Sequence, residues 1–165
     1  MQFNSLTNNR FNFIIALLTI IILISCERDD ICIDETTPDL IFKFLDVTDG
    51  TLTKGVSGLK IKFLETEIDT IILSGDSIFI PLRIDRDTTK YSMTNQISTD
   101  DVRTDTIVIS YERQEVFVGR SCGYKMNFNA LKIESSTTNW IQNITTVNSP
   151  LNIENETAAH INITH

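Results

Sequence analysis

Leu59-Lys60-Ile61-Lys62-Phe63-Leu64 is the stretch that decides the fold class. Successive side chains of an extended chain point to opposite faces, so Leu59, Ile61 and Phe63 share one side while Lys60 and Lys62 take the other. A strand with one buried face follows. Upstream, Leu40, Phe42 and Phe44 alternate with Ile41, Lys43 and Leu45. Downstream, Ile78, Ile80, Leu82 and Ile84 keep the same period against Phe79, Pro81 and Arg83. Pro81 has no N–H for a ladder, which predicts an edge strand or a bulge there. Between Ile68 to Leu73 and Ile78 to Ile84 lie Ser74, Gly75, Asp76 and Ser77, all turn formers, and they predict a hairpin joining the two runs.

The pattern continues through Ile107, Ile109 and Tyr111, then Val116 and Val118, then Tyr124, Met126 and Phe128. Leu131 and Ile133 resume it in the opposite phase, so a bulge or turn is expected near Asn129 and Ala130. Ile161 and Ile163 read as a last strand. Trp140, Ile141, Ile144 and Val147 fit a helical stripe almost as well as a strand, but the Thr and Asn residues around them favour extended structure. Nine or ten short strands without intervening helices predict an all-β protein, an antiparallel β-sandwich of immunoglobulin-like kind, with a barrel as the alternative.

The 165 residues are 41% apolar and 22% charged, as in ordinary globular proteins. Lys plus Arg number 14 against 22 Asp plus Glu, a formal charge of −8. Such a chain has no basic surface to release counterions from phosphates, so nucleic acid is excluded as a partner.

The N-terminus is different in kind. Met1 to Ser25 contain no acid and one base, Arg10, followed by an uninterrupted run from Phe13 to Ile24 in which only Thr19 is not apolar. That run falls short of the roughly 20 residues needed to span a bilayer and reads as the apolar segment of a signal peptide. Leu23-Ile24-Ser25-Cys26 closes it and resembles the lipobox of bacterial lipoproteins, which implies acylation of Cys26 and loss of residues 1–25. Two or three acyl chains hold a protein stably where one is marginal. Residues 26–38 are then an acidic tether, and residues 39–165 a single domain. Glu27, Arg28, Asp29 and Asp30 look like the export tag of surface lipoproteins in Bacteroidota; the other reading is a solvated spacer. Both imply the outer membrane, facing the periplasm or the outside.

Lipidation of Cys26 leaves Cys32 and Cys122, an even pair beyond the reducing cytosol. A disulfide between them is expected, the alternative being two buried, unpaired thiols. As a whole the mature chain resembles an uncharacterised family of small lipoproteins of Flavobacteriia and their relatives, through Cys26-Glu27-Arg28-Asp29-Asp30-Ile31-Cys32 with Thr36-Thr37-Pro38, and through Val116 to Lys125. The resemblance implies the same location and the Cys32–Cys122 pairing, and brings no catalytic residue.

A search for chemistry yields little. His160 and His165 are the only histidines, no Gly-x-Ser-x-Gly elbow or clustered glycines occur, and Asp46, Asp49 and Gly50 lack the closing glutamate of a calcium loop. No enzyme, metal or cofactor is expected. Asp69-Thr70-Ile71, Asp76-Ser77-Ile78, Asp87-Thr88-Thr89 and Asp105-Thr106-Ile107 resemble the O-glycosylation pattern of exported Bacteroidota proteins, which would modify Thr70, Ser77, Thr88 or Thr106. The other reading is that Asp and Thr favour the starts of strands. The expected role is a non-enzymatic envelope interaction or structural module, held to the bilayer through Cys26 and contacting an outer-membrane barrel or another envelope protein. The alternative is a glycan- or ligand-binding accessory of an uptake system, for which Trp140, Tyr91, Tyr111 or Tyr124 must form an exposed aromatic platform.

Overall fold

A computed structural model describes residues 31–32, 36–66 and 70–165. The expectations for the signal peptide, for Cys26 and for Glu27 to Asp30 lie outside the described residues. The chain divides into two units, Met1–Cys32 and Ile33–His165, and the second holds all the strands described here.

The described residues are all-β. Ten strands run in order: β1 (Leu40–Leu45), β2 (Val56–Phe63), β3 (Ile71–Gly75), β4 (Ser77–Ile80), β5 (Thr88–Gln96), β6 (Val102–Gly119), β7 (Gly123–Ser136), β8 (Asn143–Thr146), β9 (Leu151–Ile153) and β10 (Ile161–Thr164). They form a sandwich of two sheets, ordered β4-β1-β10-β8 and β3-β2-β5-β6-β7-β9. The larger sheet is antiparallel throughout. In the smaller one β1 and β10 pair in parallel, Phe42 opposite Ile161 and Leu45 opposite Thr164, a departure from the purely antiparallel expectation. Parallel strands need a long connection, and here the rest of the domain supplies it.

The predicted hairpin between Ile68 to Leu73 and Ile78 to Ile84 is not formed. β3 pairs with β2 in one sheet and β4 with β1 in the other. The turn formers build a corner between sheets instead. Gly75 has φ of +144°, closed to other residues at low energy, and a Cβ on Gly55 would stand 3.3 Å from the Gly75 carbonyl, so two glycines let the chain cross there. The corner is held where the Phe44 N–H donates to the Asp76 carbonyl (2.8 Å). Burial explains the choice: Ile78 and Ile80 pair with Phe42 and Leu40 of β1, covering an apolar face that a β3–β4 hairpin would leave without a partner.

β5 went unassigned in the sequence and lies at the centre of the larger sheet. Its inward residues are Thr89, Tyr91, Met93 and Asn95, so half of its buried face is polar and the period of two is masked. Tyr91 packs edge-on against Phe42 of one sheet and Phe63 of the other and donates its hydroxyl to the Pro81 carbonyl (2.8 Å). The phase change near Asn129 is present. Ala130 takes φ of +49°, and the β6–β7 register slips between Ser110 and Glu112.

One charged group sits at the heart of the sandwich. Asp105 of β6 is fully buried, and its carboxylate accepts four hydrogen bonds: from Thr137 Oγ1 (2.6 Å), Asn139 N (2.7 Å), Trp140 N (2.8 Å) and Ile141 N (2.9 Å). These donors belong to the corner that carries the chain from β7 to β8. Trp140 is thereby turned inward, 3% exposed, with its Nε1–H on the Met93 carbonyl (3.0 Å) and its ring against Phe44. Burial pushes the Asp105 carboxyl upward, but the bonds from Asn139, Ile141, Thr137 and Trp140 outweigh it and hold it below the usual carboxylate range. An Asp105→Asn protein presents an amide N–H₂ to backbone donors, so it should be less stable by about 2–3 kcal/mol and melt about 10 °C lower. An unchanged melting curve would show that the corner holds without the carboxylate.

Candidate functional site

β6 and β7 are much longer than the short strands expected for Ile107 to Tyr111, Val116 to Val118 and Tyr124 to Phe128. β5 accompanies β6 only from Val102 to Ser110, and β9 meets β7 only at Phe128 and Leu131. From Glu112 to Gly119 and from Gly123 to Asn127 the two strands therefore pair only with each other, as a two-stranded ribbon continuing past the sheet. Arg120, Ser121 and Cys122 make its turn, closed by Gly123 at φ of +72°.

Residues directly opposite each other in a ribbon share a face. Arg113 lies opposite Phe128, Glu115 opposite Met126 and Phe117 opposite Tyr124. This stripe begins in the core, where Phe128 is fully buried against Tyr111, passes the half-buried Met126, and ends at rings that are 58% exposed for Phe117 and 69% for Tyr124. The two rings meet edge to face, centroids 5.2 Å apart. Large apolar side chains at this exposure form a surface that a partner can cover.

At the base of the ribbon is a cleft of about 600 Å³ lined by Asp87, Tyr111, Glu112, Arg113, Glu115 and Met126. Its walls are fixed. Arg113 donates through Nε to Asp87 Oδ1 (2.5 Å) and through Nη1 to the Ile84 carbonyl (2.7 Å). The Tyr111 hydroxyl donates to the Arg83 carbonyl (2.8 Å) and lies 2.5 Å from Thr89 Oγ1. Burial lifts the Tyr111 phenol above its ordinary range, so it is a neutral donor at physiological pH. Arg83 in turn grips Asp85 with two nitrogens (2.9 and 2.6 Å), and that bond holds the Asp85 carboxyl down at about 2. These contacts brace the segment from Pro81 to Asp87, and with it one wall of the cleft.

The residues singled out in the sequence are scattered. Cys32 and Cys122 are both disulfide-bonded. Thr70 is exposed, while Ser77, Thr88 and Thr106 are half-buried within β4, β5 and β6. In Asp105-Thr106-Ile107 the acid is interior and the Thr106 backbone bonds Thr137 through both its N–H and its carbonyl, so strand construction accounts for this motif. Of the four rings that an aromatic platform could draw on, Trp140, Tyr91 and Tyr111 are buried and Tyr124 is exposed. Phe117 is the ring that sequence reading missed. Its neighbours Val116 and Val118 set the assumed inward phase, and it stands on the other one. Among the described residues no group of three or more His, Cys, Asp or Glu is placed to hold a metal ion.

Neither histidine lines the cleft. His160 Nδ1 accepts from Ile41 N (3.0 Å), so its proton is on Nε2, directed at the Asn155 carbonyl (3.2 Å). His165 sits against Phe44 and Trp140 with Nε2 at the Lys54 carbonyl (2.9 Å). Burial pulls both imidazoles below their ordinary value. The unfolded chain then binds more protons than the folded one between the depressed value and about 6.5, so stability is complete above that pH and declines as the pH falls through it. Melting temperature should accordingly fall between pH of about 8 and about 5.5, and His160→Gln should flatten the slope; an equal slope in that variant would remove His160 from the account.

A family model described as a family of unknown function, DUF6452, matches residues 58–165, from within β2 to the end of β10 and beyond. No curated protein and no solved structure matches the chain.

Proposed function

The chain belongs to the DUF6452 family of unknown function, and we propose that it is a lipid-anchored outer-membrane protein whose sandwich is a non-enzymatic interaction module. The observation that carries this reading is the β6–β7 ribbon. It carries Phe128 and Met126, paired with Arg113 and Glu115, outward from the core and ends on two exposed rings, Phe117 and Tyr124, that stand outside the core cluster. A contact element of this kind serves binding, and the buried polar groups Asp105, Thr89 and His160 are engaged in holding the fold.

The anchor rests on the sequence: one base, an apolar run too short to span, and Cys26 after Leu-Ile-Ser, followed by Glu27, Arg28, Asp29 and Asp30. The bonded state of Cys32 and Cys122 fits an oxidising compartment. The burial of Trp140, Tyr91 and Tyr111 weighs against the glycan-platform alternative, since stacking on a sugar needs an open ring face.

Cys26→Ala should release the protein from membrane pellets into the soluble fraction, because without acyl chains a polypeptide of formal charge −8 keeps no anchor strong enough for stable retention. Retention at the wild-type level would overturn the anchor. Separately, a Cys32–Cys122 link closes a loop of about 90 residues and constrains the unfolded chain by up to roughly 4–5 kcal/mol, so reduction should lower the melting temperature by several degrees. A melt indifferent to reductant would assign the bond no part in stability.

A further inference from the structure

We propose that the tip of the β6–β7 ribbon, from Phe117 to Tyr124, seats in the headgroup region of the phospholipid bilayer that anchors the chain. The inference rests on the anchor at Cys26 and names the partner of the ribbon.

Three observations converge on it. The first is chain length. Pro38 is buried and Thr37 Oγ1 accepts the Met126 N–H (2.9 Å), so the polypeptide joins the sandwich beside the ribbon. Only eleven residues separate Cys26 from Thr37, a reach of at most about 40 Å when fully extended. The ribbon therefore lies on the side of the domain where the anchored chain enters.

The second is the chemistry of the rings. Paired aromatics with one polar hydroxyl suit the boundary between headgroups and acyl chains, where an amphipathic ring has an apolar body buried and a wet edge.

The third is charge. The outer end of the ribbon, from Val116 to Lys125, carries Arg120 and Lys125 and no acid, in a protein whose formal charge is −8, and Glu115, opposite Met126, is the first acid inward of it on β6. Arg120 is exposed at the turn itself. Arg120 and Lys125 at the outer end, against the net negative charge of the rest of the chain, orient the domain tip-down on a phosphate-bearing surface.

The wild-type chain has one tryptophan, Trp140, buried in the core, which makes an internal control. Full-length, acylated Tyr124→Trp protein is reconstituted in vesicles of phosphatidylethanolamine with a minority of phosphatidylglycerol, some carrying brominated acyl chains that quench tryptophan on contact. A ring within about 5–10 Å of the acyl boundary should lose roughly half of the emission it adds, while wild type is unquenched. Phe117→Trp gives the same reading from the opposite strand and serves if the first variant melts below wild type. Arg120→Glu combined with Tyr124→Trp should lessen the quenching. Protein that carries acyl groups by mass and floats with the vesicles, yet is quenched no more than wild type, overturns the inference and leaves the anchor standing. Emission shifted to the blue in native envelopes but indifferent to brominated lipid overturns it in favour of a protein partner. Protein without acyl groups overturns both.

Discussion

Asp105 is a carboxylate in the interior of a small domain, a placement that costs several kcal/mol unless its charge is fully engaged by hydrogen bonds. Four donors engage it, and three are consecutive backbone N–H groups of Asn139, Trp140 and Ile141. Consecutive N–H groups converge on one anion only if the backbone curls around it, so the carboxylate dictates the path of the corner. Thr137 extends the arrangement, donating to Asp105 while accepting from Thr106 N (2.9 Å). The direction taken at this corner sends the chain into β8 and onward to β10, and through β10 to its parallel pairing with β1.

The rest of the core follows from that closure. Once β10 lies beside β1, Phe42, Phe44, Ile161 and Ile163 form one apolar face, and Tyr91 bridges it to Phe63 across the sandwich. Trp140 seals the same face at the corner, against Phe44 and His165. Each such side chain contributes about 1.5–3 kcal/mol on burial. The corner thus links an electrostatic constraint to a hydrophobic gain.

What was legible in the sequence was whatever rests on one-face burial. The strands from Leu40, Leu59, Ile107 and Ile161 follow from alternation alone, and so does the phase change beside Ala130. Pairing was not legible where it depends on which sheet needs an element. Ser74 to Ser77 contain the residues of a hairpin turn, yet the same residues make a crossing corner, and only the uncovered face of β1 decides between them. β5 was hidden for a related reason: Thr89 can face inward because Arg83 N and the Tyr111 hydroxyl give it partners, and no local pattern announces such partners. Of the candidate site, Tyr124 and Cys122 were visible in the sequence. Phe117 and the cleft residues Asp87, Glu112 and Arg113 became a group only through the register of β6 on β7 and the bracing of the segment before β5.

The ribbon itself raises a question of stability that bears on what it is for. An isolated two-stranded hairpin is marginal in water. This one is secured at its base by Phe128 in the core, at its side by Thr37 on Met126 N and by Lys125 Nζ on the Glu154 carbonyl (3.0 Å), and at its turn by the bonded Cys122. Those ties are enough to keep a polar ribbon in place, since none of them uses the outermost rings. Phe117 and Tyr124 pack edge to face on each other and stay largely exposed. Two large rings held at an ordered but exposed tip are a standing penalty for the free protein in water, and covering that surface removes it. The ties fix where the rings point before any contact is made, so binding there would lose little conformational freedom. For the contact role we propose, the ribbon is preorganised by these ties, and the sandwich is the base to which they fasten it.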